Sequence, residues 1–595
     1  MRHIVLSAVA LLVTASLALG APAFDKVMPE KTLGVLRAKN LPELQAKFKA
    51  QPGYALWNEP SVQKFLEKPL ARLNEELAKA EGKAGVKLED VMGILRGEVA
   101  VYVAADEALT GPEVILLVDV GDQGPKAMEI LGALVDAIGK ADPNAAEVPA
   151  VVEQMIDGVK FMTVRAAGAD AAAEPKLCYG VVNDVLVVGG PLAAVTRQVG
   201  FLKAPPANAL ANNPLYLAAM AKAPAGSDIQ AFVNVAEILA VVQMKAQDPA
   251  KTAQIISALG ANGLTGAALG IELGKEYNTS TMYLGSRGTP QGIVKILMPQ
   301  AGPLHTGAEV PADVSSFASA RLDPAAIYDE VERMLNSIEP TIMAAFNEKM
   351  NQATQTLGQP FSLRNDVLAI FGPRVGSYAR AEKPYNVPEN TQQVFMVDIT
   401  SKAAVQALLE KLQKMAPEFF ALFQPHDYMG YQVYVMTTPQ APEGQMPPMA
   451  MMPKPAFVVT EKELLIAMNP ASLEAHLRRL NAGGPTLQER PEFQELLKLL
   501  PAEGRVFVSF GDARQPVESF MTGLKEGQFD MILNMFKQRD PDVAEVVDLF
   551  DFTLLPDPEV VTKYINPAAT VGIVQPDGVM LVSKSSSRMP AGAPK

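Results

Sequence analysis

Apolar and polar residues alternate along short stretches of this chain and recur at three- and four-residue steps along longer ones, which separates strand candidates from helix candidates. Val99 to Val103 alternates as a half-buried strand does, as do GVKFMTV from Gly158 and GYQVYVM from Gly430. The apolar runs VILLVDV, ending at Val120, and VFMVDI, ending at Ile399, predict more deeply buried strands, each followed by a helix-like segment. Long amphipathic helices are expected here too: in SVQKFLEKPLARLNEELAKAEGKAG the residues Val62, Phe65 and Leu66 fall at i, i+3 and i+4, as one buried face requires. Helix starts are marked by Pro42 and by Pro324 with Asp323 as its cap, and Pro576-Asp577-Gly578 marks a turn between two strands. Strands come in runs and hairpins without the regular alternation of a doubly wound sheet. The fold class expected is therefore α+β with largely antiparallel sheets and packed helices.

The same pattern occurs twice. DVMGILRGEVAVY, from Asp90 to Tyr102, lies over DVLAIFGPRVGSY, from Asp366 to Tyr378, with a constant offset of 276. Further matches follow in the same order: Asp119 on Asp398, Gly158 on Gly430, Pro191 on Pro470, and Pro214 on Pro491 with Tyr216 on Phe493. Offsets stay between 272 and 279, as tandem duplication with small loop changes predicts. Two diverged copies of one module are expected, at 24–300 and 301–585, divided near MPQAGPLHTGAEVPADV and followed by a disordered tail at 586–595.

At 595 residues the chain exceeds one ordinary core, and 49% hydrophobic with 20% charged residues is normal for globular protein. The net charge of −13 disfavours binding to nucleic acid or anionic lipid, since no long Lys/Arg run overrides it. MRHIVLSAVALLVTASLALGAPAFDK reads as a signal peptide: an apolar run from Ile4 to Leu19 falls short of the roughly 20 residues that span hydrocarbon, and small residues allow cleavage after Gly20 or after Ala23. Removal of residues 1–23 predicts a periplasmic or secreted protein with no transmembrane segment. Asp90 and Asp366 sit where a helix start favours a carboxylate, which gives their match a structural role.

Candidate chemistry is sparse. The single cysteine, Cys178, lies in an apolar strand-like stretch and aligns with Phe457, which marks a buried structural thiol. His305, His426 and His476 are isolated from one another in sequence, with His305 in the linker, His426 a surface or turn residue, and His476 on a helix. A histidine-based zinc site would need groups converging in space from separate elements. No GxSxG elbow and no GxxxxGK[ST] loop is present. Asp119 and Asp398 are the only shortlisted carboxylates, and a helix cap or turn ligand for the backbone is the ordinary role of such residues. Met446, Met449, Met451 and Met452 crowd a Pro-rich loop where thioethers would suit Cu(I), with a tolerated insertion as the main reading. No residue is assigned as catalytic, cofactor-binding or metal-ligating, and no cofactor is expected.

The leader, the two large modules and the closing stretch LPDPEVVTKYINPAATVGIVQPDGVMLVSKSS resemble large exported bacterial proteins of an uncharacterised domain-of-unknown-function family. That resemblance implies an envelope location and transfers no catalytic residue. The function expected is a non-catalytic envelope protein that binds or scaffolds a protein, glycan or lipid partner through its two modules. An envelope hydrolase with a carboxylate site between the modules is one alternative. A lipid or hydrophobic-ligand carrier, with an apolar pocket between sheet and helices, is another.

Overall fold

A computed structural model describes residues 23–84, 86–105, 111–140, 150–165, 173–357, 361–385, 390–437, 454–539 and 541–590. The expected alternating stretches form strands. In chain order these are β1 Thr32–Ala38, β2 Val99–Ala105, β3 Pro112–Asp119, β4 Ala150–Ile156, β5 Val159–Arg165, β6 Leu177–Val182, β7 Val185–Gly190, β8 Ile229–Val233, β9 Leu264–Glu272 and β10 Tyr277–Ser286. There follow β11 Ser316–Arg321, β12 Phe371–Ala381, β13 Thr391–Ile399, β14 Phe423–Tyr428, β15 Tyr431–Met436, β16 Ala456–Val459, β17 Glu463–Ala467, β18 Arg505–Gly511, β19 Ala568–Gln575 and β20 Gly578–Ser586.

All twenty belong to one antiparallel sheet. From one edge it runs β4-β5-β6-β7-β3-β2-β1-β8-β9-β10. β10 then pairs with β20, Met282 opposite Leu581, and the order continues β20-β19-β18-β11-β12-β13-β17-β16-β15-β14. Read from the far edge, the second ten strands repeat the pairing order of the first ten. Tight turns hold several hairpins in register: Asp157-Gly158 and Met429-Gly430 each take positive φ at both positions, as two-residue loops that match strand twist require.

Because side chains alternate across the sheet, each strand feeds two cores. On one face Tyr102, Ile115, Leu117, Val185 and Val187 pack under the helices Leu192–Lys203 and Pro214–Met220. The matching face of the second ten strands buries Tyr378, Val394, Met396 and Leu465 under Pro470–Ala482 and Pro491–Lys498. On the opposite face Leu116, Val118 and Leu186 meet Ala127 and Ile130 of the helix Gly124–Lys140. Each of the valine, leucine, isoleucine and methionine side chains among these, fully buried, contributes about 1.5–3 kcal/mol of transfer free energy.

Helices on that opposite face cross between the two sets of strands. Those after β8 reach the helix Pro324–Ile338, where Arg333 donates to the carbonyl of Ala258 (3.0 Å). Those after β18 reach the helices after β1, where Phe65 meets Phe550 at 5.7 Å between ring centroids and Lys563 pairs with Glu59 at 2.6 Å. The helical stretch expected around residues 61–85 forms two helices, Pro60–Phe65 and Glu67–Ala84, with Pro69 in the first turn of the second, where its missing N–H costs nothing. Within the stretch expected as a tail from 586, the described residues are held in place: Ser586 closes β20, the Ser587 amide donates to the Glu276 carbonyl at 2.8 Å, and Arg588 pairs with Glu495 at 2.6 Å. No helix among the described residues is long and apolar enough to cross a membrane.

Candidate functional site

The segment before the first strand of each half lies across the same face of the sheet, pinned at its end by an isolated bridge, Pro29 with Ala209 and Pro311 with Thr486. Both segments are anchored by apolar side chains, Phe24, Val27 and Met28 in one and Val310 in the other. Both also cover charged groups.

Under the first segment Arg37 of β1 pairs with Asp25 at 2.9 Å and with Glu98 at 3.4 Å, and donates to Gln230 of β8 at 3.0 Å. Tyr216 donates its hydroxyl to Asp25 at 3.0 Å. One guanidinium thus serves two buried carboxylates, and Asp25 is the nearer. Burial pushes Glu98 up to about 7, against the pull of Arg37 and of the Phe24 amide.

Under the second segment the register brings Gly376 and Arg374 of β12, Asp398 of β13 and Glu463 of β17 to one face, with Glu463 directly opposite Asp398. Arg374 holds both oxygens of Asp398, at 2.8 and 2.9 Å. His305 lies above them, its amide donating to Ser319 Oγ of β11 at 3.0 Å. Its Nδ1 lies 3.1 Å from Glu309 Oε1 and 3.7 Å from Glu463 Oε1. Burial raises Glu463, with the charges of Glu309 and Asp398 adding to it, whereas the bond from His305 lowers Glu309. The imidazole is closed off from solvent, and both its Nε2 and Glu309 Oε2 are buried without a hydrogen-bond partner. Three carboxylates here face one guanidinium and one imidazole.

Of the two shortlisted carboxylates, Asp119 accepts the Gly121 amide at 3.1 Å, a turn ligand for the backbone, while Asp398 is bound up with Arg374. Asp90 lies within the helix Leu88–Gly93, whose cap position is Lys87, and binds Lys126 at 2.6 Å. Asp366 accepts the Ser362 amide at 2.7 Å and binds Lys411, also at 2.7 Å. Cys178 is buried in the core, and burial pushes its thiol up to about 11. His426 is exposed beside Glu474 at 3.3 Å. His476 is buried against Tyr378, with Nδ1 and hydroxyl 3.0 Å apart, in the place where Gln198 accepts from Tyr102 at 2.7 Å in the first half. Residues 446–452, the methionine-rich loop, lie outside the described residues.

The His305 cluster was not legible as a site, because its members come from five segments spread between residues 305 and 463. The one available signal was the match of Asp398 to Asp119. A separate hollow of about 520 Å³ lies beyond Pro311, but its Arg490, Asp512 and Arg514 are paired with one another. The helices after β18 carry several exposed apolar side chains. Met531 and Met535 are 72% and 59% exposed, with Ile532 and Phe536 exposed on the same helix, Phe520 on the helix before it and Val546 on the next. Comparison of the chain with protein-family models, with curated proteins and with solved structures yields no match.

Proposed function

We propose that the protein is an exported, non-catalytic envelope protein, built of two diverged copies of one ten-strand module, that holds a partner protein against the helices following β18. The repeated strand order and the near-constant sequence offset support the duplication, and the leader supports export.

The observation that carries the binding reading is the apolar stripe of the helix Asp530–Arg539. Met531 with Met535 and Ile532 with Phe536 recur at i and i+4 on solvent-exposed turns, a pattern that on a monomer marks an interaction surface. Methionine side chains adapt to the surface they meet, which suits docking. Asp530 opens this helix, Asp548 pairs with its Lys537, and the chain is anionic overall, so a protein surface fits the stripe better than an anionic bilayer does.

A photo-crosslinking amino acid at Met535 should give one adduct of defined mass in cells, lost in Met531→Asp, and none should form from the same group at Lys160 on β5. Equal crosslinking from both positions, or none from Met535, would overturn the reading. Fractionation with mass measurement of the mature protein should find it outside the inner membrane, shorter by the first 20 or 23 residues.

A further inference from the structure

We infer that His305, Asp398 and Glu463, with Glu309 alongside, form a binding site for a divalent transition-metal cation, zinc or manganese in type. The site is independent of the docking surface proposed above.

A ring nitrogen of His305 and one carboxylate oxygen each from Asp398 and Glu463 lie within 4.8 Å of one another. Ligands about 2.0–2.2 Å from zinc stand roughly 3.4 Å apart in a tetrahedron, so rotation of these side chains by roughly 1 Å brings them onto one ion. The charge in the site asks for a cation. Asp398, Glu309 and Glu463 together share one guanidinium, which holds both oxygens of Asp398, and one imidazole, in a place largely shut off from water. Two buried polar atoms at this spot, His305 Nε2 and Glu309 Oε2, also lack protein partners, which a bound ion or water would explain.

The first half solves the same problem with a side chain. Val35 stands opposite Tyr102 and Phe317 opposite Tyr378, so Arg37 and Ser319, each two residues further on, hold corresponding positions on their strands. Arg37 fills its position with a fixed cation between two carboxylates. Ser319 leaves that volume free and uses its hydroxyl to anchor the His305 backbone. Gly376 admits the imidazole, since a Cβ there would sit 2.8 Å from its Cδ2. One imidazole among carboxylates suits zinc or manganese, rather than Cu(I), which prefers sulfur, or calcium, which prefers oxygen alone.

Isothermal titration of the purified full chain, carrying no polyhistidine tag, with Zn²⁺ and then Mn²⁺ tests this. A single saturable site is expected for one of them at concentrations below roughly 100 µM. His305→Gln and Glu463→Gln should weaken it by at least about tenfold, since even outer-shell changes cost that much, while His426→Gln leaves it unchanged. Absence of a saturable site with either ion, or an unchanged affinity in His305→Gln, overturns the proposal. Should both site variants fail to fold, X-ray absorption of the zinc-loaded protein decides: one imidazole in a shell of oxygen ligands supports the site, and sulfur or two imidazoles refutes it.

Discussion

Glu98 offers a test of the buried charge cluster in the first half. Its carboxyl is raised from the ordinary 4.5 to about 7, a difference that corresponds to about 3 kcal/mol. Its side chain is only 11% exposed, so little of that is lost to solvent screening. The sign follows from proton counting. Between pH 4.5 and 7 the unfolded chain has released this proton and the folded one retains it, so the contribution is fully present below 4.5 and is lost as pH rises through 7. Glu98→Gln removes the titration. It also turns an amide N–H₂ toward either the Phe24 amide or Arg37, a constant cost of about 1–3 kcal/mol that does not vary with pH. Urea unfolding followed by circular dichroism, with one slope shared by both proteins, should therefore show the stability of the variant relative to wild type rising by about 3 kcal/mol from about pH 4 to about pH 8. A difference constant to within about 0.5 kcal/mol over that range would refute the reasoning, because Glu98 would then ionise as a solvated carboxyl does.

His476 should behave in the opposite sense. Burial, and after it the charge of Arg479, lowers it to about 4, so it supplies stability present above pH 6.5 and lost as pH falls through 4. His476→Gln, which installs the residue that meets the tyrosine in the first half, should make unfolding less acid-sensitive by up to about 3 kcal/mol between those limits; an unchanged acid profile would count against it. Gly189→Ala places a Cβ 2.2 Å from the Val114 carbonyl oxygen and 2.7 Å from Ile115 Cδ1, and should lower stability by about 3 kcal/mol through overpacking against backbone. Gly200→Ala, with open space in the helix Leu192–Lys203, should instead raise it by about 0.4–1 kcal/mol, and equal effects at the two glycines would contradict the packing described.

What the sequence by itself determined is the local structure and its burial pattern. β2, β5 and β15 appear where alternation predicts them, because period two is a property of the strand and needs no partner to be read. The Asp323 cap accepts the Ala326 amide at 3.0 Å, and Pro576-Asp577 joins β19 to β20, since both motifs are closed within four residues. Cys178 was legible as a core position for the same reason: its strand is apolar on both faces. Mixed α+β structure with antiparallel pairing follows from such elements.

Tertiary structure alone decided which strands meet and which charges are buried together. Nothing in TSTMYLGS or GVMLVSK says that β10 and β20, some 300 residues apart, pair to make one sheet of twenty strands. His305 shows the limit most plainly. In a Pro- and Gly-rich stretch without periodicity it reads as a linker residue, yet it is buried over β11, β12 and β17. Its neighbours Glu463 and Asp398 come from strands whose own patterns mark them only as strand ends. Burial of a polar residue depends on partners that neutralise it, and those partners are set by the register of distant strands, a quantity that local sequence does not carry.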